Sequence, residues 1–180
     1  MSTFENAIPT VIKNEGGYTN NPNDAGKATN YGISSVFLLS HPEIGVTDAK
    51  LLTLAQACAI YEKYWWNFYS YSLIYDQTVA TKTLDLSVNM GANTLHKIIQ
   101  TVLNGQFWCT LTIDGNLGPK SFAAINDINT IITQQTLINS ISDGAWQHYQ
   151  DIIAANPQDA QFATGWKNRA YNIHTAGSIL

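Results

Sequence analysis

Charge is what this sequence has least of. Lys, Arg, Asp and Glu together make up only 12% of the 180 residues, about half the usual share for a soluble protein. The net charge is −4, and the nine basic residues are scattered along the chain. That argues against an electrostatic footprint for a phosphate backbone, and so against nucleic acid as a partner. No apolar run approaches the roughly 18 residues of a membrane span, so no membrane anchor is expected. There is no internal repeat and no low-complexity linker. Cys58 and Cys109 are the only cysteines, and both read as small buried hydrophobes. His41, His96, His148 and His174 show no ligand spacing, so neither a metal site nor a cofactor is expected. The opening Met-Ser-Thr-Phe-Glu-Asn lacks a basic start, a long apolar stretch and a small-residue cleavage site. The chain is therefore expected to be made in the cytoplasm without a Sec signal.

What is present is a globular composition with 45% hydrophobic residues and a polar surface built largely from Asn, Thr, Gln and Ser. Such a surface suits a neutral, sugar-like or peptide-like ligand. The length allows one domain, or two small lobes sharing a hinge helix. Apolar spacing is mostly helical. Phe4, Ala7, Ile8, Val11 and Ile12 form the first stripe, with Ser2 and Glu5 placed as a capping box and Gly16-Gly17 as the stop. Pro9 either lies in the first turn of a helix from about Ala7 or kinks a longer one. Residues 18–34 are rich in turn signals and hold the only β candidate, a loop or small hairpin.

Thr47-Asp48 opens a short helix. Thr53 and Gln56 start another, with Tyr61, Trp65 and Phe68 inward. Asp76 caps the next, which ends near Gly91, and Asn93 or Thr94 begins the one after. Pro119 stands first in a short helix, and a long one runs from Thr133 to Ala155. A last helix from about Gln158 bears Phe162, Trp166 and Arg169. The expected fold is mainly α with a small loop or hairpin. A soft boundary near residue 90 separates lobes 1–90 and 91–180.

The most informative residue is Glu15. Counting 4, 8, 11, 15 places it on the apolar stripe, in the last turn of the helix, where the helix dipole disfavours an anion. Desolvation and the dipole would both raise its pKa, which suits a general acid near neutral pH. The plain alternative is a frayed, solvated helix end. Nine residues on is Asp24, and five further is Thr29. A loop folding back over the helix end would bring them to Glu15, and two carboxyl groups across a cleft are the equipment for glycosidic hydrolysis. Each also has an ordinary reading, Asp24 as an Asx-turn residue and Thr29 as a loop hydroxyl. Among the aromatics that follow, Trp66 and Tyr69 are candidates to stack on a sugar. Asp85 and Asn89 are candidates for the cleft, while the Trp166–Arg169 pair reads as a contact that docks the lobes.

The stretch Glu15-Gly16-Gly17-Tyr18 through Pro22-Asn23-Asp24-Ala25-Gly26 to Thr29-Asn30-Tyr31-Gly32-Ile33 resembles the signature of glycoside hydrolase family 108. The likeness continues in Tyr64-Trp65, in Asp85-Leu86-Ser87-Val88-Asn89-Met90-Gly91, in Ile113 to Pro119 and in Gly165-Trp166-Lys167-Asn168-Arg169. It implies a lysozyme-like N-acetylmuramidase lobe followed by a peptidoglycan-binding lobe, with the catalytic glutamate at Glu15. The Glu–Asp–Thr spacing is also similar to that of the phage T4-type lysozymes, with one residue fewer between Asp24 and Thr29. Tyr31 joins Trp66, Tyr69, Asp85 and Asn89 as a substrate-binding candidate. Ala25 and Lys27 depart from the Pro and Gly usual in the family, and Lys27 sets a cation near Asp24.

The resemblance implies a monomeric enzyme acting on peptidoglycan glycan strands, either a phage endolysin or a muramidase for toxin secretion. It would reach the periplasm or wall through a holin or another non-Sec route. A lytic transglycosylase and a non-catalytic wall-binding module are the competing readings.

Overall fold

The computed structural model describes residues 1–20, 28–131 and 134–172. The loop carrying Asp24, Ala25 and Lys27 lies outside the described residues. So do Thr133, expected to open the long helix, and His174. Eight α-helices and one small sheet are found among the described residues. Helix α1 spans Phe4–Glu15 and runs through Pro9 without stopping. Thr3 stands at its N-cap with no side-chain hydrogen bond, and the Ser2–Glu5 capping box is not formed. The Ser2 hydroxyl instead donates to the Ile74 carbonyl at 2.7 Å, a tertiary bond that outcompetes the local one. Three short strands follow, β1 Thr19–Asn20, β2 Ala28–Asn30 and β3 Ile33–Ser34, all antiparallel in that order. Asn30 pairs with Ile33, so Tyr31 and Gly32 alone make the turn. Both have positive φ, 52° and 77°, as a primed two-residue hairpin loop requires.

Helix α2, Ser35–Ser40, follows directly on the segment expected as a loop or hairpin, in a stretch where the sequence pattern marks no element. The Ser34 hydroxyl caps it through the Phe37 amide. Helix α3, Leu54–Tyr61, carries the capping box expected from Thr53 and Gln56. It runs directly into a π-helical turn at Glu62–Asn67. That turn explains where the aromatic pattern departs from expectation. A π turn takes more residues per revolution, so the inward stripe slips along the sequence. Trp66 is turned into the core, 3% exposed, with edge-on contacts to Phe4 and Tyr71. Phe68, expected inward, is 72% exposed. Trp66 therefore has no face open to a sugar.

Helix α4, Gln77–Met90, is capped by Asp76, whose carboxylate accepts from the Thr78 and Val79 amides. Every residue from Val79 to Ser87 is buried, polar ones included. A helix enclosed on all sides must satisfy its polar groups within the protein. Thr83 and Ser87 donate to the Val79 and Leu84 carbonyls of their own helix, while Lys82 and Asp85 reach other helices. Around α4 pack α1, α5 (Ala92–Phe107) and α7 (Gln134–Ala155). Helix α6, Pro119–Ile131, starts at the expected proline. The Asp114-Gly115-Asn116 turn before it is held by α5, since His96 reaches the Gly115 carbonyl and Gln100 donates to Asp114 and Asn116. A 3₁₀ segment, Pro157–Phe162, leads into the last helix, α8 Ala163–Tyr171. Buried apolar side chains from Phe4 to Ala170 form one continuous cluster.

Replacing Trp66 by alanine is expected to cost about 3–5 kcal/mol of stability, as for other buried aromatics. Urea unfolding checks this. A sugar-stacking Trp66 would leave the midpoint almost unmoved.

Candidate active site

Glu15 is the final residue of α1, and the chain turns away at once through Gly16, whose φ is 72°. Helix α1 packs on α4, which brings this helix end over Asp85. The carboxyl group is partly buried and meets two neighbours. One is Arg169 of α8, whose Nη2 lies 2.7 Å from Glu15 Oε1. The other is the hairpin turn between β2 and β3. A β-carbon at Gly32 would collide with Glu15 Oε2 and stand 2.7 Å from the Tyr61 hydroxyl oxygen. Glycine is needed there twice over, for its positive φ and for this close approach. The Tyr61 hydroxyl donates to the Tyr31 carbonyl at 2.8 Å and so pins the turn against the carboxylate. Burial, and next the nearby Glu15 charge, push the Tyr61 phenol well above its ordinary pKa, so it stays a neutral donor.

Arg169 is shared. The same Nη2 donates to Asp85 Oδ1 at 2.9 Å and to the Asp85 main-chain carbonyl at 3.2 Å. Asp85 Oδ1 also accepts from Asn14 Nδ2 at 2.9 Å, next to Glu15 in sequence. Asp85 is 1% exposed, and its second oxygen has no hydrogen-bond partner among the described residues. Desolvation opposes the guanidinium charge, but the two carboxylates outweigh it and the Arg169 pKa is raised. One cation thus answers two acids at the meeting of α1, α4 and α8.

Helix α8 is itself held from below. Lys82 Nζ, on buried α4, donates to the main-chain carbonyls of Arg169 and Asn172 at 2.8 and 2.9 Å. These are carbonyls left free at the end of α8, where a cation is also favoured by the helix dipole. Burial pulls the Lys82 pKa down to about 8, against the opposing pull of Asp85.

The other expected site residues are placed as follows. Thr29 lies in β2, two residues before the turn, and its hydroxyl shares a 2.8 Å hydrogen bond with that of Thr19 across the strand pair. Tyr31 is half-buried within the turn itself. Tyr69 is half-buried, stacked on Tyr71 and edge-on to His96. Asn89 is exposed on the last turn of α4 and accepts a hydrogen bond from the Tyr149 hydroxyl. Asp85 sits beneath Arg169 and not at the surface. Tyr61 is expected in the core and Arg169 as a docking contact, and no local signal points to Lys82 or Asn14. The apolar stripe of α3 hides the phenol of Tyr61. Arg169 was legible only as the end of the Gly-Trp-Lys-Asn-Arg segment. Among the described residues no group of His, Cys, Asp or Glu is arranged to hold a metal ion, and no helix is long and apolar enough to cross a membrane.

Two outcomes test this network. Replacing Arg169 by methionine leaves two facing acids without their cation and is expected to cost about 3–5 kcal/mol in urea unfolding. Adding Asp85→Leu to that variant should recover part of the loss. The Lys82 proton gives a pH test. Between about pH 8 and 10.5 the unfolded chain keeps a proton on Lys82 that the folded chain has shed. This group's contribution to stability therefore rises with pH through that window, from a penalty for the desolvated charge below about pH 8. In thermal melts, wild type is expected to gain on Lys82→Met as pH climbs from 8 to 10.5.

Residues 8–91 match the family Glycosyl hydrolase 108. Residues 94–171 match the "Predicted Peptidoglycan domain" family. No curated protein matches the chain. Among solved structures, SagA of Brucella abortus is similar, with a TM-score of 0.71 and 28% identity, over 93% of this chain and 88% of that one. The matched segments meet at the end of α4, and the Glu15–Arg169 pair joins one to the other. Residues 8–91 are thus similar to glycosyl hydrolase 108 and residues 94–171 to a predicted peptidoglycan domain, a pairing that supports a peptidoglycan hydrolase as the class of activity.

Proposed function

We propose that the chain is an N-acetylmuramidase that cleaves the β-1,4 bond between N-acetylmuramic acid and N-acetylglucosamine, with Glu15 as general acid. The observation that carries this reading is the placement of Glu15. It is a partly buried carboxyl at a helix end, fixed on one side by Arg169 and on the other by the Tyr31-Gly32 turn. Fixed orientation toward the bond it protonates is one requirement of a general acid. Glu15 gives its proton to the glycosidic oxygen as the bond to the muramic C1 breaks. Arg169 then faces the carboxylate left behind, in a site where its charge is already in place.

Asp24, which lies between β1 and β2 in the sequence, supports the developing positive charge at C1 or directs a water to it, with Thr29 in β2. That water adds to C1 and completes hydrolysis. Asp85 is not assigned this role, because its carboxylate is enclosed and already engaged by Arg169 and Asn14. Its part is to position Arg169. Tyr31, in the turn above Glu15, and Tyr69 and Asn89 are proposed to border the bound strand. No cofactor takes part in this scheme. The proposed setting is the bacterial wall, with the enzyme acting as a monomer, either as an endolysin or as a muramidase that opens the wall for protein export. It would reach the wall through a holin or another non-Sec route.

Glu15→Gln keeps an oxygen for the Arg169 hydrogen bond and removes the transferable proton. It is expected to lower the release of reducing ends from purified sacculi by about a hundredfold to ten-thousandfold, with an unchanged circular dichroism spectrum. Mass spectrometry of the wild-type digest should show muramic acid reducing ends. A 1,6-anhydro product, lighter by one water, would replace hydrolysis by lytic transglycosylation. Full activity of the variant would remove Glu15 from the mechanism.

A further inference from the structure

Away from Glu15, Trp108 departs from what stability alone favours. It closes α5 with φ 52°, in the left-handed region that L residues with bulky side chains rarely adopt. Its amide and that of Cys109 both reach the Leu103 carbonyl, a closure that helices usually make with glycine. Its side chain is 88% exposed. The residues on either side, Phe107 and Cys109, pack against the core, so the chain is anchored before and after the tryptophan while the indole is held outward. A large apolar ring in water, on a backbone suited to glycine, forgoes stability on two counts. Local strain of this kind is found where a side chain is held ready for a ligand.

The surroundings indicate which ligand. Trp108 falls within the segment matched by the peptidoglycan domain, residues 94–171. Seven residues earlier, two turns and about 10 Å back along α5, Thr101 lines an open groove. That groove, of about 410 Å³, lies between α5 and α7 and also carries Lys97, Gln147, His148 and Asp151. Lys97 and Thr101, four residues apart, share one side of α5 and line this groove, so a long ligand has a mixed polar surface on which to continue. A net charge of −4 disfavours an anionic lipid surface as the occupant. A pyranose ring offers an apolar C–H face with a polar rim, and an indole offers the matching flat, amphipathic face.

We propose that Trp108 is a stacking platform for sugar rings of a peptidoglycan glycan strand, separate from the site at Glu15. The choice of ligand rests on the reading of this chain as a peptidoglycan hydrolase, but the platform does not require Glu15 to be the acid.

The test uses the full chain carrying Glu15→Gln, with binding and sedimentation done on ice so that sacculi stay intact even where another residue is the acid. Trp108→Gly and Trp108→Phe are compared in co-sedimentation with purified sacculi and with peptide-free glycan strands. Trp108→Gly is expected to bind both about tenfold more weakly, and Trp108→Phe to keep most of the binding. Trp108→Gly should also melt at the same or a higher temperature, because glycine relieves the strained backbone. In wild type, indole emission should shift on addition of glycan strands, and the shift should be lost in Trp108→Phe.

Unchanged binding by Trp108→Gly would overturn the proposal. A fall in melting temperature together with binding would make Trp108 a structural residue. A wild-type dimer that becomes a monomer in Trp108→Gly would make the indole a self-association contact. Loss of binding to sacculi but not to peptide-free strands would move the contact to the stem peptide and reject sugar stacking. Failure of the Glu15 mechanism alone would leave these binding differences in place.

Discussion

One guanidinium holds this molecule's chemistry and its architecture in the same place. Arg169 lies between Glu15 and Asp85, close to both and shielded from water on most sides. The three side chains come from α8, α1 and α4, so the network cannot form unless those helices pack in one particular way. Two acids and one cation in a poorly solvated space cost much to separate, because each remaining charge would be left without its counterpart. The ammonium of Lys82 extends the pattern downward by holding the carbonyls at the end of α8. Positive charge is thus used twice on the same helix, once through a side chain and once on its main-chain terminus.

Helix α4 is the element on which the rest is arranged. It is buried on all sides, yet carries Thr81, Lys82, Thr83, Asp85 and Ser87. A stretch of that composition would be a poor core helix if its polar groups had no partners. Here the hydroxyls of Thr83 and Ser87 turn back onto the helix, and the two ionisable groups reach across to α8. The helix therefore serves both as packing surface and as mounting for the ion pairs. The hairpin turn reaches the same point from the opposite side. A glycine without a side chain and a tyrosine hydroxyl bring its backbone against Glu15.

Much of this was legible in the sequence where a signal is local. The stripe through Phe4, Ile8 and Val11 set Glu15 on the inner side of α1, and the glycine after it ended the helix. The Thr53–Gln56 box, the Asp76 cap and Pro119 each marked a helix start that is found. Local signals failed where a distant partner made a better offer. Ser2 and Glu5 have the spacing of a cap, but the hydroxyl goes to Ile74. Reading Trp66 as free to stack on a sugar rests on an α-helical period through residues 62–67, and the π turn shifts that period. Arg169 could not be joined to Glu15 by any spacing rule, since 154 residues separate them. A pairing of that range is written in the packing of helices and not in any short stretch of chain.

That separation has a consequence for the order in which the protein becomes competent. Ribosomes deliver the amino-terminal helices first, and α1, the hairpin and α4 are complete long before Arg169 emerges. In a nascent or carboxy-terminally clipped chain, Glu15 and Asp85 would face one another without the cation that reconciles them. A chain built this way keeps its reactive end unfinished until α8 has been made and has docked beside α4.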